Sequence, residues 1–371
     1  MQNKSSKILI IGDPHFGVRS NNEKYLEVFY NYFTKDILKI IQEHKIQDVR
    51  ILGDYFNDRN TINLKTLNIG MEVFKVFLNK IPNVKFSLLL GNHDIYYNTT
   101  LEVNSLEVLS LFPNVRIIKD VEIETICNKK IVSIPWLIQN TQVCNKFFEI
   151  LQNNEKYDVL FCHLELGEFL SNYDNSQKYF IKKKDLKKFS KVFSGHIHKK
   201  IFEDNIYYVG TPYQLYWSDL NLEKGVHIYD IENDKIEFIV NSTSPKHIII
   251  FLSKIKNNVQ KYQKEIYQNI IKFVIDEDIE EKDIISILNS IEQMNPFKID
   301  IENILNNNQI YENIDENNEI KNIQEIKNKN PLDFLIEYIQ KLDIKQEKIS
   351  KEIIIETIKQ EYYNNLNSKS K

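Results

Sequence analysis

Phe86-Ser87-Leu88-Leu89-Leu90-Gly91-Asn92-His93-Asp94 decides the fold: an apolar run closed by glycine leads straight into an amide, an imidazole and a carboxylate. Four other apolar runs end in the same manner. Residues 8–11 precede Gly12-Asp13-Pro14-His15, residues 49–52 precede Gly53-Asp54, residues 159–162 precede His163, and Val192-Phe193 stand before Gly195-His196-Ile197-His198. Short apolar runs bounded in this way read as buried strands of an α/β sheet, and such sheets carry their chemistry beyond the carboxyl ends of the strands. Five strand ends are therefore expected to converge on one cluster of ligand-type side chains.

Between these runs, residues 22–44 place Leu26, Phe29, Phe33, Ile37, Leu38 and Ile41 at helical spacing, and residues 61–78 repeat the pattern with Leu64, Leu67, Met71, Phe74 and Leu78. Strand and helix in alternation imply right-handed βαβ units and a largely parallel sheet. Residues 101–112 give a short helix, residues 115–118, 121–126 and 130–134 closely spaced strands, and residues 141–151 a further helix. From Lys200 the pattern turns all-β over residues 200–203, 206–209, 226–231 and 236–240, with a hairpin turn at Glu232-Asn233-Asp234. A second sheet is thus expected to follow the first half. The expected fold class is α/β, a two-sheet β-sandwich flanked by helices over residues 1–242.

Ser242-Thr243-Ser244-Pro245 marks a boundary. Beyond it, residues 243–305 read as a small α+β domain. Ten asparagines among residues 302–330 leave little surface to bury, so residues 306–330 read as a polar linker. Residues 331–367 carry C-terminal helices with apolar faces such as Phe334, Leu335, Tyr338, Ile339 and Leu342. An amphipathic pair on a tether docks on its own protein or in a partner's groove, and the tether favours a partner.

Composition narrows the function classes. A chain of 371 residues suits one large core with attachments. At 42% hydrophobic and 27% charged it is ordinary globular material, and no apolar run approaches the ~18 residues of a membrane span. Residues 1–6 lack a secretion pattern, so the expectation is a cytoplasmic protein, in the host cytoplasm if the source is viral, with no membrane partner. Three cysteines without C-x-x-C spacing fit a reducing compartment. Cys162 faces away from its neighbour His163 on a strand and reads as core, not as a nucleophile. A net charge of -4 provides no global basic footprint. Lys182, Lys183, Lys184, Lys187, Lys188, Lys191, Lys199 and Lys200 supply local charge, either a phosphate-steering rim or a solvated face.

Five of the eight histidines lie at the strand ends beside Asp13, Asp54, Asn92 and Asp94. One histidine in such a place is usually structural, but five gathered with carboxylates point to a metal centre. Mixed carboxylate, imidazole and amide-oxygen donors suit manganese, iron, zinc or magnesium. Asp13, His15, Asp54, Asn92, His163, His196 and His198 are too many for one ion. They suit two ions about 3.5–4 Å apart, which clamp the attacking and leaving oxygens of an in-line phosphoryl displacement. Asp13 with His15, and His196 with His198, would share one face of an extended segment. Asp54 is the natural bridge.

This ordered series resembles the signature of the calcineurin-like metallophosphoesterase superfamily. More narrowly, Gly210-Thr211-Pro212 and residues 7–18 and 52–59 are similar to SbcD-type nucleases of DNA double-strand-break repair, in particular the recombination endonuclease subunit of large tailed phages. The resemblance implies a two-sheet sandwich in which Asp13, His15, Asp54 and His198 hold one divalent ion and Asp54, Asn92, His163 and His196 the other, usually manganese, with magnesium as the alternative. It implies that His93 faces the leaving group as phosphate-positioning donor or general acid, oriented by Asp94. It also implies DNA as substrate, a DNA-contacting cap, an ABC-type coiled-coil ATPase partner bound by the terminal helices, and a homodimer formed through helices near residues 61–78 and 101–112. Asn57 stands where many relatives have Asp or His, at a position that places the DNA strand. Arg59 is expected to hold a phosphate or to pair with Asp58.

Two other functions compete with a metal-dependent DNA exo/endonuclease. A phosphatase or cyclic-nucleotide phosphodiesterase of the same superfamily is expected to be compact, without the residues that follow Asn241. A non-catalytic DNA-end scaffold is expected to lack ligands, whereas all seven and His93 are present.

Overall fold

The computed structural model describes residues 6–169 and 181–305. The strands are β1 (Lys7–Ile11), β2 (Asp48–Ile51), β3 (Lys85–Leu89), β4 (Val115–Ile118), β5 (Glu122–Ile126), β6 (Lys129–Ser133), β7 (Tyr157–Cys162), β8 (Phe189–Ser194), β9 (Ile201–Glu203), β10 (Ile206–Tyr208), β11 (Gly225–Asp230) and β12 (Lys235–Val240), then β13 (His247–Phe251), β14 (Ile270–Ile275) and β15 (Lys298–Asn303). They form two six-stranded mixed sheets, ordered β12-β11-β1-β2-β3-β4 and β5-β6-β7-β8-β10-β9, and a three-stranded sheet β13-β14-β15. The fold is an α/β two-sheet sandwich with flanking helices.

Period-2 burial assigns the layers. Ile8 and Ile10 of β1 face the second sheet together with Val159, Phe161 and Phe193. Leu9 and Ile11 face outward, onto a core shared with Leu26, Phe29, Phe33 and Phe74. Leu160, Cys162 and Val192 face the opposite exterior, beneath Phe147 and Ile150. Burial in that layer pushes the Cys162 thiol up to about 12, in keeping with a core side chain. Arg50 of β2 lies buried between the sheets, 2.6 Å from Asp48 in its own strand and 2.8 Å from Glu124 of β5. A buried cation held by both sheets carries a desolvation cost that its two carboxylates offset, and it fixes how the sheets face each other.

Side-chain caps set the helix starts. Asn22 accepts from the Lys24 N–H before the helix Glu23–Asn31, and Asn63 from the Lys65 N–H before Leu64–Lys80. The helix expected over residues 22–44 runs as Glu23–Asn31, a π-helical stretch Tyr32–Ile37 and Leu38–Glu43. Residues 61–63 stay outside the second helix because Asn63 caps it. In place of the short helix expected at 101–112, Ser105–Leu111 forms a 3-10 helix.

The second sheet does not simply follow the first half. β11 returns to pair antiparallel with β1, Lys7 opposite Asp230 and Ile10 opposite His227, and β12 extends it. Alternation in these strands reports which face is buried but not which strand lies alongside, and that pairing is non-local. The second sheet is built instead from β5 to β10.

The described residues through Glu302 form one compact unit. Within it the small sheet meets the larger body through Tyr25 and Phe297, with ring centroids 5.0 Å apart, and through the His247 N–H, which donates to Gln214 Oε1 at 2.7 Å. The expected linker over 306–330 and the helical segment over 331–367 lie outside the described residues. Among the described residues no helix is long and apolar enough to cross a membrane.

Candidate metal centre

β1, β2 and β3 run parallel side by side, as do β7 and β8, so their carboxyl ends deliver the five motif-bearing turns to a common edge. The turns after β1 and β2 are laced together: the His15 N–H donates to the Asp54 carbonyl at 2.9 Å and the Asn57 N–H to the Phe16 carbonyl at 2.9 Å. The Tyr213 hydroxyl, from a ring stacked 3.8 Å from Phe29, donates to the Pro14 carbonyl at 2.6 Å. The aromatic core under the first sheet therefore holds the Asp13-Pro14-His15 turn directly.

Two groups of ligand atoms form there, Asp13 with His15 and His198, and Asp54 with His163 and His196. His15 Nε2 and His198 Nε2 are 3.0 Å apart. Asp54 Oδ2 lies 3.3 Å from His163 Nε2 and 3.8 Å from His15 Nε2, between the two groups. Asn92 Oδ1 completes the second group, 3.0 Å from His163 Nε2 and 2.9 Å from His196 Nδ1. Asp13, His15, Asp54 and His163 are at most 1% exposed. All seven side chains singled out as ligands are thus brought together.

The expected extended geometry is not how they get there. His15, Asp54 and His196 hold left-handed conformations, with φ of 47°, 48° and 81°. His196 and His198 turn to different groups. Such conformations persist only where surroundings enforce them, and glycines make the room. Gly53 has φ of 105°, and a Cβ on it would meet His163 Nδ1 at 2.3 Å. A Cβ on Gly195 would meet Asp13 Oδ1 at 2.4 Å.

The donors fit hard or borderline divalent cations. His163 Nδ1–H donates to the Leu52 carbonyl at 2.6 Å, which fixes the tautomer and frees Nε2 to act as a ligand. Asp13 Oδ1 is buried without a hydrogen-bond partner, although the His196 N–H donates to Oδ2 at 2.8 Å. Burial holds the His15 and His198 imidazoles down at about 3 and about 4, keeping them neutral as ligands must be. Burial also lowers His196. Burial pushes the Asp13 carboxyl up to about 7, with His163 opposing and Asp54 adding to the rise. Burial works against the Asp54 carboxylate as well, but the facing His163 outweighs it and holds the group well below the usual range. Burial presses His163 down, but the facing Asp54 carboxylate outweighs it and keeps the imidazole up at about 9, so a bound ion would take the place of the Nε2 proton.

His93 stands beside this cluster, its ring centroid 5.0 Å from that of His15. Its backbone N–H donates to Asp54 Oδ1 at 2.8 Å. The expected orientation by Asp94 is corrected: His93 Nδ1–H donates to the Asn57 carbonyl at 2.6 Å. The Asp94 carboxylate instead accepts from the Tyr55 and Gly91 N–H groups at 3.1 and 2.9 Å, pinning the turns after β2 and β3. Burial pushes it up to about 7, Asp54 adding to the rise and the Gly91 N–H opposing it. Asn57 thus acts through its main chain, and its amide donates to Asp58. Arg59 donates to Asn98 Oδ1 at 2.9 Å in place of the expected Asp58 pair.

Two side chains at the centre were not foreseen. Trp136 lies 5.1 Å from the His196 ring, and Glu165 Oε1 lies 3.8 Å from His196 Nε2. Each had a visible signal, Trp136 after a sixth apolar run and Glu165 two residues beyond His163. Residues 182–188 precede β8, at the opposite end of that strand from His196, and Lys191 lies within it, whereas Lys199 and Lys200 follow His198. Lys183 pairs with Glu203 and Asp204, and Lys191 with Asp234. Lys183 and Lys191 are thus taken up in ion pairs away from the centre, and Lys200 pairs with Glu223.

Comparison with known proteins agrees with this geometry. Residues 6–200 match the family of calcineurin-like phosphoesterases. The chain is 28% identical over 241 residues to exonuclease subunit 1 of Enterobacteria phage T4, a match covering 64% of this chain and 68% of that protein. It is also 28% identical over 242 residues to the DNA double-strand break repair protein Mre11 of Methanocaldococcus jannaschii, covering 61% of this chain and 63% of the relative. With more than half of its length matched, and all five motif-bearing strand ends inside the match, the chain belongs to the calcineurin-like phosphoesterase family.

Proposed function

We propose that this protein is a metal-dependent DNA nuclease that hydrolyses phosphodiester bonds at a two-ion centre, manganese being the favoured metal. The position of Asp54 Oδ2 between the His15 and His163 ring nitrogens carries this reading, because one carboxylate serving two adjacent donor groups is what a paired-ion centre requires. Asp13, His15, Asp54 and His198 would hold one ion, and Asp54, Asn92, His163 and His196 the other. Two bound divalent ions supply a water of lowered pKa and neutralise charge on the phosphate. His93 has its Nδ1–H committed to the Asn57 carbonyl, so Nε2 can give up a proton only from the doubly protonated ring. We assign it as the acid that protonates the leaving oxygen. DNA as substrate is supported by the two relatives, one an exonuclease subunit and one a double-strand break repair protein by name.

The reading extends to an ABC-type coiled-coil ATPase subunit as partner of residues 331–367, to a DNA-contacting role for residues 243–305, and to self-pairing. The last is supported by Leu64 and Leu111, exposed at 81% and 75% at the helices where the resemblance places a dimer. Light scattering checks it: Leu64→Asp with Leu111→Asp should convert a dimer into a monomer, and a wild type that is already monomeric refutes pairing.

The deciding experiment incubates linear duplex and single-stranded DNA with the full chain, with manganese or with a chelator. Cleavage with manganese and none with chelator is expected. A protein that hydrolyses only small phosphomonoesters or cyclic nucleotides under these conditions would be a phosphatase or phosphodiesterase, and the nuclease reading would fall.

A further inference from the structure

Directly after the His15 turn, Arg19, Ser20 and Asn21 take three successive left-handed conformations, φ 61°, 57° and 59°, behind Gly17 at 99°. An L-residue adopts this conformation only against a steric penalty, so its surroundings must impose it. Here the Asn21 N–H donates to the Gly17 carbonyl at 2.9 Å, and the Thr66 hydroxyl donates to Asn21 Oδ1 at 2.6 Å.

What the strained turn delivers is the Arg19 guanidinium. Its Nε–H donates to the Leu215 carbonyl at 3.1 Å, and its carbon lies 5.1 Å from the centre of the Tyr216 ring. Among the described residues no carboxylate pairs with it. Tyr216, 37% exposed, stands parallel to the ring of the ligand residue His198, with centroids 6.3 Å apart and planes within 5°. The segment beneath is rigidly built. The Asp219 carboxylate accepts from the Leu215 and Tyr216 N–H groups at 2.8 and 3.2 Å, and Lys224 Nζ donates both to Asp219 and to the His198 carbonyl at 2.7 Å.

We infer that Arg19 is a phosphate clamp for the nucleotide next to the one being cleaved, with Tyr216 as its brace. A guanidinium held through Nε and backed by an aromatic face keeps its terminal amino groups as a pre-set fork, the shape that matches two phosphate oxygens. The guanidinium approaches the ligand cluster across the Tyr216 ring, whose centre is itself 6.3 Å from that of His198, and a cation set back in this way suits a neighbouring phosphate, not the one under attack. The clamp distinguishes a polynucleotide from a lone phosphodiester, and it rests on the nuclease reading above.

The test compares linear DNA with bis(p-nitrophenyl) phosphate, both with manganese, for wild type, Arg19→Ala, Arg19→Lys and Tyr216→Leu. For Arg19→Ala, KM for DNA should rise roughly 10- to 100-fold, the worth of a charged hydrogen bond to phosphate. Loss on DNA should exceed loss on the small diester by at least ~10-fold, and the salt dependence of DNA binding should weaken by about one in slope. Arg19→Lys should restore the slope but not the full affinity, and Tyr216→Leu should raise KM for DNA by a smaller factor. Equal losses on both substrates, or an unchanged salt slope, overturn the clamp and make the turn structural. A wild type that hydrolyses the small diester but no DNA overturns the nuclease reading and the clamp with it. An Arg19→Ala enzyme that matches an active wild type overturns the clamp alone.

Discussion

Asp54→Asn is expected to lower manganese-dependent DNA cleavage by at least ~10³-fold while leaving a folded protein, because it removes the one charge that serves both ligand groups. The substitution is close to isosteric and suits the local backbone. Asp54 sits at φ 48°, a region that asparagine tolerates as well as aspartate does. Its Oδ1 accepts the His93 N–H, a hydrogen bond that an amide oxygen can keep. What asparagine cannot supply is the anionic Oδ2 between His15 and His163. The buried charge that holds His163 up at about 9 goes with it. In the metal-free protein some stability should also be lost, since that pairing stabilises the fold at neutral pH and fades as pH rises through about 9. The metal response should suffer more. A ligand at 100 times its Kd stabilises a fold by about 2.7 kcal/mol, and the rise in Tm on adding manganese should largely vanish in the variant. Thermal melts with manganese and with chelator, alongside metal content and DNA cleavage, check this. An Asp54→Asn protein that keeps its manganese-induced shift and cleaves within ~10-fold of wild type refutes the bridging role.

Much of this centre could be read from residue order alone, and the limits of that reading have a common physical origin. Apolar runs closed by Gly-Asp, Gly-Asn-His-Asp and Gly-His-Ile-His mark strand ends locally, because a short buried strand must stop where polar chemistry begins. Period-2 alternation likewise separates Ile8 and Ile10 from Leu9 and Ile11. What alternation does not carry is partnership, and β11 was accordingly expected in a second sheet when it in fact lies against β1. Turn conformation is equally hidden. Nothing in the letters His15, Asp54 or His196 announces a left-handed φ, since in each case the tertiary surroundings impose it. Side-chain direction fails for the same reason. Asp94 adjoins His93 in sequence, but its carboxylate is drawn to the unpaired N–H groups of Tyr55 and Gly91, and a main-chain carbonyl from residue 57 holds the imidazole. Main-chain acceptors have no residue signature, so a sequence reading will habitually nominate a carboxylate in their place. Arg19 belongs with these cases, because its use depends on a strained turn and on Tyr216, far away in the chain.

His93→Gln should separate acid catalysis from phosphate positioning, the two roles that the neighbourhood of His15 permits. Glutamine keeps a hydrogen-bond donor but has no proton to release, and the His93 side chain is absent from both ligand groups. Manganese affinity and the metal-induced shift in Tm should therefore remain near wild type. On DNA, kcat should fall ~10²- to 10⁴-fold, the usual contribution of a positioned acid. The leaving group supplies the discriminating measurement. A DNA strand departs as an alkoxide and needs a proton, whereas p-nitrophenolate leaves without one, so the loss on bis(p-nitrophenyl) phosphate should be smaller by at least ~10-fold. The donor that glutamine retains would largely rescue a residue that only positions phosphate, leaving a modest deficit shared by both substrates. An equal loss on the two therefore argues for positioning. A His93→Gln enzyme that cleaves DNA as fast as the wild type would remove His93 from the proton-transfer step and leave the acid to be sought elsewhere, Glu165, 3.8 Å from His196, being one carboxylate at the rim.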